Sequence, residues 1–466
     1  MKTINSKIIG LALVGILASG CTDFLTVEQK GKATIPAFLS DPRGLQAGLT
    51  GAYNTLFEYY DNEFMKYPEV AGNMTSMNLS SGSAMLDQYN FTPNPGNGTT
   101  SYYIWNRIGV ALANANNIIQ YEPVVEQAYP TQTEALKKVL GQALLLRALC
   151  LFDLTRAYAY PYNYTQDASQ LGVPVLIKTP GPDDNAARNT VKEVYTQVLK
   201  DLDQAAGLLQ DKVATDPHYG SLQAVNAMLS RVYLYMEDWN NALEYARQAI
   251  GSQQLADAEA YINMYKDLNK QGEMIFRLSG YKVVGHLKTF YESECLPADT
   301  LVNSYDPEDI RLQLLRQGTL NHCVKYAAEI IPEGDVKRED IPIFRLSEMF
   351  LNAAEAAFNL QKYTEARQYI APILNRAIGK EKGELKLNSY TDADLITLIR
   401  AERVKELCFE GHNFFDLTRW KMPVTREWNT NSTMRQVPYP SPLLTLPIPQ
   451  YELDANENML PNDNNN

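Results

Sequence analysis

Apolar residues recur at helical spacing through most of this chain. Between about Gly44 and Tyr60, Leu45, Leu49, Tyr53 and Leu56 fall three or four positions apart, on one helical face. The same spacing predicts helices over 103–121, 134–158, 190–209, 221–236, 241–250 and 392–409. In the 134–158 segment, Ala143, Leu146, Cys150 and Leu154 share a face, with Arg147 and Arg156 at its polar edges. Two stretches break the pattern. Residues 61–100 hold Met74–Ser83 and Thr92–Gly98, which carry the Gly, Pro, Asn and Ser of loops. Residues 251–342 are also irregular, with strand character at Glu273–Leu278. Long irregular insertions are costly in a compact domain unless they carry function. The tail from Trp428, with Pro438, Pro440, Pro442, Pro447 and Pro449, predicts extended chain that frays at Asn464–Asn466.

An internal repeat sits within the helical pattern. Leu222–Ile250 aligns without gaps with Leu346–Leu374, an offset of about 124 residues. Leu234 falls on Phe358, Trp239 on Tyr363, Ala242 on Ala366 and Tyr245 on Tyr369. Small residues at the crossing and an aromatic opening the second helix let two antiparallel helices pack closely, as in tetratricopeptide pairs. The expected fold is mainly α: a tetratricopeptide-like helical repeat scaffold, at about 101–250 and 343–379, with loop-rich insertions at about 61–100 and 251–342. A C-terminal helix and extended tail occupy 392–466.

The N-terminus carries a different signal. Lys2 and Lys7 precede the apolar run Ile8–Leu17, which is too short to span a bilayer and has the length of a signal-peptide core. Ala18-Ser19-Gly20-Cys21 then forms a lipobox, although Leu17 stands one position further from Cys21 than the common pattern. The expectation is a signal peptide over 1–20, lipidation at Cys21, and a tether over 21–43. No later stretch is apolar enough to anchor the chain, so the lipid would be its only membrane attachment.

Charge and composition narrow the functions. The formal net charge of -12 excludes nucleic acid, since phosphate binding needs a basic surface. Tyr outnumbers Phe and Trp, 29 against 14 and 4, which suits wet recognition surfaces and tyrosine-rich helical cores alike. Beyond Cys21 the cysteines are scattered, with no Cys-x-x-Cys, and the four His show no paired spacing; no metal site and no cofactor are expected. Cys150 and Cys408 lie within helical apolar patterns and read as small buried hydrophobes. Whether Cys295 and Cys323 pair is left open.

Two kinds of candidate chemistry remain. Glu402, Glu406 and Glu410 line one helical stripe, and an all-helical glycoside hydrolase would use two such carboxylates as acid and base. One stripe rarely places carboxylates across a cleft from each other, so pairing with Arg403 and Arg419 is the expected role. Trp105, Trp239 and Trp420 read as packing residues. Sugar recognition needs aromatic platforms beside amides and carboxylates. The first insertion offers Asn78, Asp87, Tyr89 and Asn90. The second offers Tyr281, His286, Phe290 and Tyr291. These eight are the expected ligand-binding residues.

Five segments, in order, resemble the SusD/RagB family of Bacteroidetes surface lipoproteins. They are Leu140–Ala148 continuing to Tyr158, Ala187–Tyr195 with Asp201-Leu202, and Ile343–Leu351 with Ala354-Glu355-Ala356. Glu402-Arg403 with Glu406-Leu407, Glu410-Gly411, Asp416-Leu417 and Arg419-Trp420 make the fourth, and Leu446-Pro447-Ile448-Pro449 the fifth. His412 and Leu460-Pro461-Asn462-Asp463 depart from the family pattern. The resemblance implies one SusD-like domain over 44–466 and a non-catalytic, lipid-anchored outer-membrane protein facing the cell exterior. It implies capture of oligosaccharides, or of peptides as in the RagB branch, and delivery to a SusC-like TonB-dependent transporter. It places the ligand surface in loops of the two insertions.

Overall fold

The computed structural model describes residues 34–80, 85–181, 184–210, 212–213, 215–280, 285–326, 329–330, 337–427 and 430–465. The signal peptide, Cys21 and Tyr281 lie outside these. Helices form where the apolar spacing predicts them, and several starts carry a side-chain cap. Asp41 caps α1 (Pro42–Tyr59) by accepting from the Gly44 N–H at 2.8 Å. Thr99 caps α2 (Thr100–Ala128), which runs on through Pro123, past the predicted end. After α3 (Thr133–Tyr158), a Thr190–Glu193 capping box opens α4 (Val191–Leu208). Ser221 and Asp238 cap α5 (Leu222–Met236) and α6 (Trp239–Ile250). Next come α7 (Ala258–Lys266), α8 (Leu346–Asn359), α9 (Tyr363–Ile378), α10 (Leu395–Leu407) and α11 (Asn413–Arg419).

The repeat predicted from sequence is present as two helical hairpins, α5–α6 and α8–α9. Each turns through a left-handed residue at the equivalent place, Glu237 (φ 59°) and Gln361 (φ 60°). Ala242 and Ala366 are both fully buried at the crossings. The hairpins are tied to one another: Asn352 donates to Ser230 Oγ at 3.2 Å, and Arg231 pairs with Glu348 at 2.6 Å. Trp105 is buried edge-on against Tyr158, 4.9 Å between centroids. Trp420 donates from its indole to Glu355 at 2.8 Å.

Short antiparallel ladders join distant parts of the chain. β1 (Thr75–Met77) of the first insertion pairs with β3 (Cys295–Pro297) of the second, Thr75 opposite Pro297 and Met77 opposite Cys295. β2 (Met274–Leu278), the strand read from sequence, pairs with β4 (Ile341–Arg345). The insertions are therefore one connected structure.

The tail departs from expectation. Gln450–Ala455 is a short helix. Asn464 donates to the Thr445 carbonyl at 2.8 Å and Asn465 to that of Ile448 at 2.7 Å, so these two residues are bound down rather than frayed. Cys150, Cys295, Cys323 and Cys408 are all buried free thiols, which settles the open pairing of Cys295 and Cys323.

Candidate ligand-binding cleft

Where the two insertions meet, they wall a cleft of about 310 Å³. Its sides come from Asn73 to Ser76, from Leu296 to Thr300, from the hairpin tip Thr319–Asn321, and from Glu427 and Thr430 of the tail. The hairpin pairs Arg316–Gln317 with Leu320–Asn321 and turns through Gly318 at φ 61°, a conformation glycine adopts without cost. Asn321 accepts from Arg316 Nε at 3.3 Å and donates to Asp299 at 3.1 Å, so hairpin and cleft wall are held in one chain of hydrogen bonds. Asn73 carries a buried side-chain oxygen with no donor among the described residues. Leu320, 68% exposed, adds apolar surface at the rim.

Arg426 staples the floor. Its nitrogens donate to the carbonyls of Gly72 (2.9 Å), Val70 (2.9 Å) and Tyr89, and its guanidinium covers the Tyr89 ring at 4.5 Å. Burial pulls its pKa down to about 10.

None of the described residues expected from sequence is among those lining this cleft. Tyr89 is fully buried, its hydroxyl within 2.5 Å of Thr430 Oγ1 and 2.8 Å of Asn431 Oδ1. Tyr291 is fully buried and donates to the Met65 carbonyl, and Phe290 is buried beneath Lys66. The reading of these three as exposed loop aromatics is corrected: the segments carry no regular pattern, yet their rings fill the core beneath the insertions. Asn78 donates to the Ser293 carbonyl and extends the β1–β3 pairing. Asn90 accepts from the Thr433 N–H at 2.9 Å, and Asp87 from Asn94 at 3.1 Å. His286, half exposed, meets the buried Asp61 at 2.7 Å through Nδ1. The described members of the expected set thus hold the insertions together. Asn73, Asp299, Asn321 and Thr430, which sequence reasoning passed over, line the cleft. A polar residue at an insertion junction was the only available signal, and too many positions share it.

Glu402 and Glu406 lie on α10 and Glu410 just past its end, and all three are buried in an ion-pair network. Arg311 reaches Glu402 at 2.6 Å and Glu406 at 3.2 Å. Arg345 reaches Glu406 at 2.8 Å and Glu410 at 2.7 Å, and Arg376 reaches Glu406 at 2.6 Å. Burial by itself would raise these carboxyls. The facing arginines and lysines outweigh it, holding Glu402 at about 2 and lowering Glu406 and Glu410. A general acid needs a raised pKa and access to substrate, and these three carboxylates have neither. They join α10 to β4, α9 and the second insertion. Among the described residues no group of His, Cys, Asp and Glu has the arrangement of a metal site.

Comparison with known proteins follows the same lines. A profile of the SusD family matches residues 297–464, and one described as "Starch-binding associating with outer membrane" matches 23–234. SusD-like protein P2 of Formosa agariphila is 23% identical over 95% of this chain and 96% of its own length. SusD-like protein P25 of the same organism is 33% identical over 131 residues, and the chain spans only 24% of it. A SusD superfamily structure from Bacteroides thetaiotaomicron superposes with a TM-score of 0.78 at 26% identity, covering 91% of this chain and 99% of that one. A laminarin-binding SusD-like protein shares the fold at 18% identity, with a TM-score of 0.69 over 91% of this chain and 99% of its own.

Proposed function

The chain belongs to the SusD/RagB family, and from that premise we propose that it is a non-catalytic binding protein that captures a neutral oligosaccharide in the cleft between its insertions. The observation that carries this reading is the meeting of the two insertions around Asn73, Asp299, Asn321 and Thr430. Sugar hydroxyls both donate and accept, and this lining answers them: carboxylates at Asp299 and Glu427, an unpaired acceptor on Asn73, a hydroxyl on Thr430. The cation in the described lining is Arg426, whose nitrogens already donate to protein oxygens. An acidic glycan would find two carboxylates and a committed guanidinium, so the lining favours a neutral one. The carbohydrate-linked descriptions of a matching profile and of a structural neighbour point the same way.

Calorimetry against neutral glycans, uronic-acid glycans and peptides tests the ligand class. Neutral glycans should bind, and Asp299→Ala with Asn321→Ala should weaken them by about tenfold, the loss of roughly 1.4 kcal/mol. Binding confined to peptides would move the chain to the RagB-like reading. New reducing ends appearing in the cell would overturn the non-catalytic assignment.

In this proposal the protein is anchored to the outer membrane through Cys21, faces the exterior, and passes its ligand to a SusC-like TonB-dependent transporter. The support is the lipobox and the family. Cys21→Ala should move the protein from the membrane fraction to the soluble fraction. Retention with membranes would remove the lipid anchor, and failure to co-purify any outer-membrane transporter would remove the partner.

A further inference from the structure

A second groove lies away from the insertions. It has a volume of about 390 Å³ and runs along the first half of α2, between residues 174–180 and 184–186 on one side and the tail at 451–459 on the other. This falls within the usual size of a small-ligand site, about 300–1,000 Å³. Its walls are built and fixed. Asn116, fully buried, donates to the Leu176 carbonyl at 2.9 Å, and Thr179 donates to Asn117 at 2.9 Å, pinning the loop to α2. Asn456 donates to the Ala186 carbonyl at 2.8 Å, pinning the tail to the same loop. The Tyr451 ring packs edge-on against Tyr102, 5.0 Å between centroids.

Gly109 lines the groove. This residue sits inside a long helix, where glycine is unfavourable relative to alanine. A Cβ built on it would meet no atom within 4 Å, so packing does not demand glycine here. What a side chain at this position would occupy is the groove itself, which Gly109 lines.

The lining specifies the ligand chemistry. Trp105, Leu176, Pro180 and Met459 give apolar surface, while Asn106, Asp184, Glu452 and Asn456 stand among it. No Lys, Arg or His occurs among the described lining residues, so an anion has no counter-charge. An alkyl chain would set the amides and carboxylates of this lining against hydrocarbon, which costs free energy. A ring with one apolar face and a rim of hydroxyls fits both parts of the lining. We infer that this groove is a second binding site, for a single neutral pyranose ring, on the helical scaffold and separate from the inter-insertion cleft. It extends the saccharide reading of this protein, and its test is arranged so that the two fail separately.

The test uses the full mature chain and the methyl pyranosides of glucose, galactose and mannose, followed by ligand-observed NMR and calorimetry. Gly109→Leu fills the groove, and Gly109→Ala leaves most of it open. Thermal melting of Gly109→Ala should match or exceed the parent, because a better helix former replaces glycine and its Cβ meets no atom within 4 Å, and a cooperative melt of Gly109→Leu checks that it is folded. At least one pyranoside should bind the parent. Gly109→Leu should weaken it by about tenfold or more, Gly109→Ala far less, and Asp299→Ala in the other cleft should leave it unchanged. Equal binding by parent and Gly109→Leu would overturn the second site, as would no binding of any pyranoside. Loss confined to Asp299→Ala would overturn it too, while upholding the inter-insertion cleft. Oligosaccharide binding indifferent to Asp299→Ala would instead count against that cleft.

Discussion

Glu406→Gln is the sharpest test of how this scaffold is held together. Glu406 is fully buried and faces three guanidiniums, those of Arg345 (2.8 Å), Arg376 (2.6 Å) and Arg311 (3.2 Å). The substitution keeps the shape and removes the charge, leaving excess positive charge in a low-dielectric interior. Breaking a buried pair by losing one partner costs about 3–5 kcal/mol, and glutamine's remaining hydrogen bonds place this change near the lower end. With an unfolding entropy of about 2.1 cal/mol/K per residue, a unit as large as Leu39–Asn466 should lose about 3–6 °C in Tm. The pH dependence has a definite sign. Glu406 is held well below the ordinary carboxylate range, against its own desolvation, by Arg376, Arg345 and Arg311. Its contribution is full above the unfolded-state value of about 4.3 and is lost as pH falls below it. The gap between parent and variant should therefore be widest at neutral pH and close on acidification. Differential scanning calorimetry at a fixed scan rate from pH 7 to 3 measures both. A Tm within 1 °C of the parent at pH 7, taken as an error of about that size, would show that the network does not carry the junction of α10, β4 and α9.

Further expectations follow from single contacts. Ala242→Leu and Ala366→Leu overpack the two hairpin crossings and should each cost about 1–3 kcal/mol in urea unfolding; a loss at one site only would break the equivalence of the hairpins. Glu69, buried and accepting from the Gly411 and His412 N–H groups, has its carboxyl pushed up to about 7 by desolvation. A raised carboxyl stabilises the fold when protonated, and that stability is lost as pH rises through its folded value. The Tm of the parent relative to Glu69→Gln should fall between about pH 4.5 and 7, and a flat difference would contradict the burial argument. Arg426→Ala removes charge-assisted bonds to three carbonyls of the first insertion and should cost about 3 kcal/mol or more; limited proteolysis should then cut within 61–100, and an unchanged digest would refute the staple. Tyr89→Ala and Tyr291→Ala should lower Tm clearly, because both rings are core residues.

The scaffold was legible in the sequence because helices record their packing as period. Leu45, Leu49 and Leu56 are all buried on α1, and the offset between Ala242 and Ala366 survives as two equivalent crossings. The insertions leave no such record. A loop aromatic has the same neighbours in sequence whether its ring faces water or the core, and the structure turns Tyr89, Phe290 and Tyr291 inward. The cleft was hidden for a related reason. Asn73, Asp299 and Thr430 are brought together by the pairing of β1 with β3 and by the Arg426 staple, contacts between segments hundreds of positions apart. The expected helical stripe holds for Glu402 and Glu406 only, since α10 ends at Leu407 before Glu410, and the expected partners Arg403 and Arg419 pair instead with Asp416 and Glu355. Which arginines the three glutamates meet, chiefly Arg311, Arg345 and Arg376, only the fold decides.

The most direct test of the central claim is a crystal structure of the mature chain soaked with the neutral oligosaccharide it binds best. Density for sugar rings is expected between Ser76 and Asp299, with hydroxyls on Asp299, Asn321 and Thr430, and an intact glycosidic linkage. Ligand seated elsewhere with this cleft empty, or sugar cleaved in the crystal, would contradict it.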